Sequence, residues 1–179
     1  MDLKAGDQNA AEYRRINPKG RVPALQTDKG VLTESPVILG YLAQTFPDAH
    51  LANNDDSFAF GNMQAFNMWL ASTVHPAFGH IFRPGRFSDD EGCATSLVSS
   101  AKTTLRNAFT EVEERLRDGG PFVHGAEYTI SDPYLYVFVR WFFANTIGQP
   151  GDYPKVLAHR QRLEARPAVG RALAQEGLS

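Results

Sequence analysis

The run "DPYLYVFVRWFFA", residues 132–144, sets the tightest limit on what this chain can fold into. At helical spacing it is apolar nearly all round, and a helix without a wet face has to be wrapped by other elements. The segments around it have the patterns to do the wrapping. Residues 57–82 read as one aromatic-rich helix with Met63, Phe66 and Leu70 on one side. The loop "FRPGRFSDDEG" breaks it. Residues 95–117 form a clearer stripe of Leu97, Ala101, Leu105, Ala108, Val112 and Leu116, ended by Gly119-Gly120. Glu111–Arg115 and Glu113–Arg117 have the i,i+4 spacing of supportive ion pairs on its wet side. Residues 154–166 give a further amphipathic helix that stops before Pro167. The C-terminal part therefore reads as all-helical, with residues 132–144 at its centre.

Residues 1–47 follow a different logic. "AAEYRRI" has one or two helical turns, closed by Asn17-Pro18. "VPALQT" and "VLTE" are short strand-like runs joined by "DKG", a three-residue hairpin loop containing glycine. A helical period then begins. Ser35 suits an N-cap and Pro36 a first helical position, and Val37, Ile38, Tyr41, Leu42 and Phe46 share a face. The polar stretch 48–57 reads as a linker. The expected architecture is α/β plus all-α: a small α/β unit over 1–47, a linker over 48–57 and a helical domain over 58–179.

Composition narrows the function. With 18 basic and 20 acidic residues and a net charge of −2, there is no electrostatic reason to expect nucleic acid or an anionic membrane. No apolar run approaches the ~20 residues of a spanning helix. The polar N-terminus is not a signal peptide, and one cysteine, Cys93, excludes an internal disulfide framework and fits a reducing cytosol. No Cys/His cluster has metal-ligand spacing, so no metal is expected.

Two pairs of residues stand out. Pro23 sits at the start of a strand run, where proline cannot donate a ladder hydrogen bond. Taken alone it reads most simply as a trans proline on an edge strand, because only about 5–6% of X–Pro bonds are cis. Glu34-Ser35 stands at a strand-to-helix junction. The open N–H groups of a helix start favour an anion, and a neighbouring carboxylate suits an ammonium. Together they describe an α-amino acid head, although a plain helix cap with a surface glutamate explains the same residues.

In order and spacing, "NPKGRVPALQTDKGVLTESPVILGYLAQTFPD", "GAEYTISDPYLY" and "RPAVGRAL" resemble the glutathione transferase family, bacterial type, from about Asp2 to the C-terminus. The resemblance implies a thioredoxin-like N-terminal domain followed by an all-helical one. It implies a cis Val22-Pro23 bond that presents the backbone of Val22 to an extended tripeptide, glutathione, as if adding a strand. It also implies that Glu34 and Ser35 hold the γ-glutamyl end. His75 matches a histidine that faces the cleft near the sulfur or the glycyl end in bacterial relatives, although a ligand-free histidine fits equally. Thr129 and Asp132 match the family's capping box, a folding element. Arg83 and Arg86 read as a solvated loop rather than a carboxylate site, Cys93 as an incidental thiol, and Arg140 as a partner in a structural ion pair.

By this resemblance the activity is attack of the glutathione thiolate on a small hydrophobic electrophile, in a cytoplasmic homodimer. One departure qualifies it. Family members begin with a strand, a loop bearing the residue that activates the thiol, and a helix, an opening unit of roughly thirty residues. This chain begins at what matches the second strand, so no catalytic residue is identifiable and conjugation is expected to be impaired. A truncated thioredoxin-like domain would leave its two-stranded hairpin marginal, with an open edge. The competing reading is a non-catalytic interaction module of the same fold.

Overall fold

The computed structural model describes residues 1–3 and 5–178. A 3-10 turn and the short helix α1 (Ala11–Ile16) lead into a two-stranded antiparallel hairpin of β1 (Ala24–Thr27) and β2 (Gly30–Thr33). Its register pairs Ala24 with Thr33 and Thr27 with Gly30, so the connection is the two residues Asp28-Lys29 rather than three. Gly30 joins the ladder at φ +134°, a region open to glycine and strained for other residues. Pro23 precedes β1, which removes the apparent conflict between proline and strand: no ladder bond is asked of it.

Helix α2 (Ser35–Thr45) starts one residue earlier than the sequence pattern implies, with Ser35 as its first helical residue and Glu34 outside it. Its buried residues are Pro36, Ile38, Gly40 and Ala43, whereas Val37 and Phe46 are exposed. The reason lies in size. Gly40 and Ala43 let α2 settle closely on α3 (Ser57–Trp69), where a Cβ at position 40 would come within 2.7 Å of Gln64 Nε2. The intervening stretch is tied at several points. Asn54 Nδ2 donates to the Ala43 carbonyl (3.0 Å), and Ile130 N–H donates to the Leu51 carbonyl (2.9 Å). Asp56 caps α3 by accepting from Phe58 and Ala59 N–H at 2.9 and 3.0 Å.

The expected single helix over 57–82 is interrupted without being broken. Between α3 and α4 (His75–Phe82) the chain makes a π-helical turn, Leu70–Val74. Pro76 supplies a cause. It has no N–H for an intrahelical bond, and its ring crowds the preceding turn, which widens. The long helix α5 (Glu91–Gly119) begins four residues before the apolar stripe announces it, because Asp90 Oδ1 accepts from Cys93 N–H at 2.6 Å. Neither expected i,i+4 pair forms on α5. Arg117 instead pairs with Asp118, and Arg115 lies over the Phe66 ring. Glu113 reaches across to α7 (Pro154–Glu164) and accepts from Lys155 and Val156 N–H at 2.9 Å each. It thereby satisfies orphan donors of that helix.

Helix α6 (Ser131–Ala144) is the central element expected of it: Leu135, Phe138, Val139 and Phe142 are essentially inaccessible. They join Leu70, Val74 and Phe78 from the α3–α4 segment and Leu105, Phe109 and Val112 from α5 in one core. Phe109 and Phe142 stack face to face with centroids 3.9 Å apart. The start of α6 is organised by Asp132, which accepts from Thr129 N–H (2.7 Å), Val123 N–H (2.9 Å) and buried His159 (2.9 Å). The capping box is present in its Asp132 half. The Asp132 N–H goes to the Thr129 carbonyl rather than to its hydroxyl. Helix α8 (Pro167–Gln175) closes the chain. Arg140, expected in an ion pair, donates to the Leu178 carbonyl (3.1 Å) and lies over Tyr136; it makes no ion pair among the described residues.

Candidate functional site

The segment before β1 is shaped by Asn17. This side chain is 2% exposed; its amide donates to the Arg21 carbonyl at 2.7 Å and its oxygen accepts from Lys19 N–H at 3.2 Å. Tyr13 Oη donates to the same Arg21 carbonyl at 2.6 Å. Gly20, at φ +60°, completes the turn, and a Cβ there would also crowd the Gln8 carbonyl at 3.2 Å. Two donors thus hold the peptide group next to Val22. The Val22-Pro23 bond is cis, and Val22 is 45% exposed.

Glu34 follows β2 with φ +70° and ψ 121°, a conformation an L-residue adopts only when its surroundings impose it. The turn frees its side chain from capping duty: Glu34 makes no cap bond to α2, and its exposed carboxylate meets Lys19 Nζ at 2.9 Å. Its carbonyl accepts from Ile38 N–H, the first intrahelical bond of α2. Pro36 has no N–H, so the N–H groups of Ser35 and Val37 are the donors at this helix start. A carboxylate that suits a cation therefore stands beside a helix start that suits an anion.

Glu34 acts electrostatically on Tyr134 of α6, and His75 packs against rings of the same helix. Tyr134 lies close enough to Glu34 for the carboxylate to add to the effect of burial, and its phenol is pushed up to about 12. Phe138 follows one turn on, its ring 5.2 Å from Tyr134. The His75 ring stands 5.5 Å from Phe138 and 5.7 Å from Trp141. Desolvation lowers the imidazole pKa, because a low-polarity environment disfavours the charged form. His75 is nevertheless exposed on one side.

The remaining candidates lie elsewhere. Arg83 and Arg86 are exposed around a 3-10 turn after α4, as a solvated loop requires. Cys93 is exposed on the first turn of α5. Among the described residues no group of three or more His, Cys, Asp or Glu is arranged to hold a metal ion. Sequence reasoning missed Asn17 and Lys19. Asn17 carried a signal, since an asparagine before proline and glycine favours a side-chain-bonded turn. Lys19 carried none, because its partner lies fifteen residues away.

Comparison with known proteins gives this geometry its setting. Residues 1–44 match the N-terminal domain of glutathione S-transferase, and residues 67–162 match its C-terminal domain. Glutathione S-transferase GstA of Escherichia coli O157:H7 is 32% identical over 177 residues, which span 98% of this chain and 84% of that protein. A glutathione transferase homologue from Sulfitobacter, solved with bound glutathione, superposes with a TM-score of 0.87 at 31% identity, covering 99% of this chain and 84% of its own. The glutathione S-transferase from Xylella fastidiosa gives 0.90 at 27% identity, covering 100% and 85%. The chain belongs to the glutathione S-transferase family. Its hairpin and α2 fall in the thioredoxin-like part of that fold, and α3–α8 in the helical part. No described helix is long and apolar enough to cross a membrane.

Proposed function

We propose that this chain binds glutathione at the β2–α2 corner, and that the bound thiolate is conjugated to a small hydrophobic electrophile. The observation that carries the reading is the pairing at Glu34-Ser35: an exposed carboxylate on a residue at φ +70°, directly before a helix start. In this arrangement Glu34 takes the α-ammonium of the γ-glutamyl group. Ser35, with the N–H groups of α2, takes its carboxylate. Val22, anchored through Arg21 and turned by Pro23, pairs with the tripeptide backbone as an added strand would. His75 faces the sulfur end.

The chemistry forms a carbon–sulfur bond as the electrophile's leaving group departs and the thiol proton is lost. Binding supplies proximity, and a lowered thiol pKa supplies the nucleophile. At the sulfur end stands His75, whose neutral form, favoured by desolvation, is the form able to accept that proton. Exposed Phe58 and Met68 on α3 offer apolar surface for the proposed homodimer. The proposed location is the cytoplasm.

Isothermal titration calorimetry with glutathione, alongside a spectrophotometric assay with an aromatic electrophile, tests this reading. Expected are saturable binding, a loss of about tenfold or more in Glu34→Gln and in Ser35→Ala, and turnover of the electrophile. A folded chain that takes up no glutathione would instead be a non-catalytic module. Binding without any turnover would contradict the conjugation reading.

A further inference from the structure

Lys19 belongs to neither the fold's core nor the ligand contacts proposed above, yet it occupies the side chain on which those contacts depend. Its ammonium lies 2.9 Å from Glu34 Oε1, with both side chains more than half exposed (61% and 64%). The lysine is not there by chance of a long side chain alone. Its own N–H is bonded to Asn17 Oδ1, and the next residue, Gly20, turns the chain at φ +60° with its N–H on the Asn17 carbonyl. The turn that anchors Val22 thus also delivers a cation to Glu34.

From this juxtaposition we infer that Lys19 is a tethered competitor for the ligand's ammonium and sets how strongly the site discriminates between a free and a blocked α-amine. The inference rests on the glutathione-binding reading of Glu34. In the free chain the carboxylate is already paired, so an incoming ammonium exchanges one ion pair for another. An exposed pair is weak, so the exchange is easy but not free; it reduces affinity about two- to fivefold. A ligand whose α-amine is acetylated brings no cation, and Lys19 then stays where it is. The carboxylate is never left unpaired, so the penalty for a blocked amine is small. Lys19 thereby makes the site tolerant at the cost of affinity for the free amine.

The test compares glutathione with N-acetyl-glutathione by calorimetry at low salt, on the wild-type chain, Lys19→Met, Lys19→Arg and Lys29→Met. Lys29 lies in the β1–β2 turn and controls for net charge. Lys19→Met is expected to bind glutathione about two- to fivefold more tightly, with N-acetyl-glutathione unchanged or weaker, so that the ratio of the two affinities rises by at least that factor. Lys19→Arg keeps a cation and is expected to behave as wild type, as is Lys29→Met. If wild type binds glutathione and Lys19→Met binds it equally or more weakly, the competitor role is wrong and the binding site stands. The same holds if Lys29→Met gains as much. If neither wild type nor Lys19→Met binds glutathione, the binding reading and this inference fall together.

Discussion

Asp132 Oδ1 lies 2.9 Å from His159 Nε2, and both side chains are completely buried where α6 meets α7. The same carboxylate serves the N–H groups of Val123 and Thr129, so one side chain closes the start of the central helix and joins it to two other segments. Asp132→Ala leaves these donors buried and unpaired. It is expected to cost about 3 kcal/mol or more, read as a fall in the urea midpoint. Asp132→Asn, which keeps one acceptor oxygen, is expected to cost less.

Parts of this were legible in the sequence and parts were not, for identifiable reasons. The core stripe of α5 was readable because burial repeats with the helical period: Leu105 and Val112 sit where the pattern puts them, and the all-round apolarity of residues 132–144 put α6 at the centre. The face of α2 was misread because the pattern weighs large residues, and Gly40 and Ala43 bury themselves by being small. Glu113 was misassigned to Arg117 because spacing along one helix says nothing of a second helix whose N–H groups compete for the carboxylate. Val22, Pro23, Glu34, Ser35 and His75 were named from motif order. That His75 packs against Phe138 and Trp141 of α6 is a tertiary fact with no local signal.

Glu113 gives the second prediction. Glu113→Ala removes the acceptor of the Lys155 and Val156 N–H groups at the start of α7 and is expected to lower stability by about 1 kcal/mol. Hydrogen exchange should show the loss concentrated in the first turn of α7. Uniform loosening along α5 would argue for the i,i+4 pair with Arg117 instead.

Asn17→Ala is expected to weaken glutathione binding without removing any group the ligand touches. The Arg21 carbonyl keeps only the Tyr13 hydroxyl, and Lys19 N–H loses its acceptor, so the segment carrying Val22 loosens. Calorimetry should give a several-fold loss of affinity alongside a stability loss of about 1–2 kcal/mol. Unchanged affinity would separate this turn from the site.

His75 predicts a pH dependence with a definite sign. Desolvation holds its pKa in the folded chain below the ordinary histidine value of 6.5. As pH falls below the unfolded value, the unfolded state therefore binds more protons than the folded one. Stability contributed by neutral His75 is then present above that value and lost as pH falls through the lowered folded pKa. Urea unfolding of wild type and His75→Gln should diverge below pH 6.5 and run parallel above it. An imidazole NMR titration with its midpoint at or above 6.5 would contradict the placement against Phe138 and Trp141.

The central claim is that Val22, Glu34 and Ser35 form one site for glutathione. A ¹H–¹⁵N NMR titration of the 179-residue chain with glutathione tests it most directly. Saturable shifts of the Val22, Glu34 and Ser35 backbone amides, sharing one dissociation constant, are expected. A folded spectrum in which these amides stay still, or in which the shifts gather elsewhere, would contradict it.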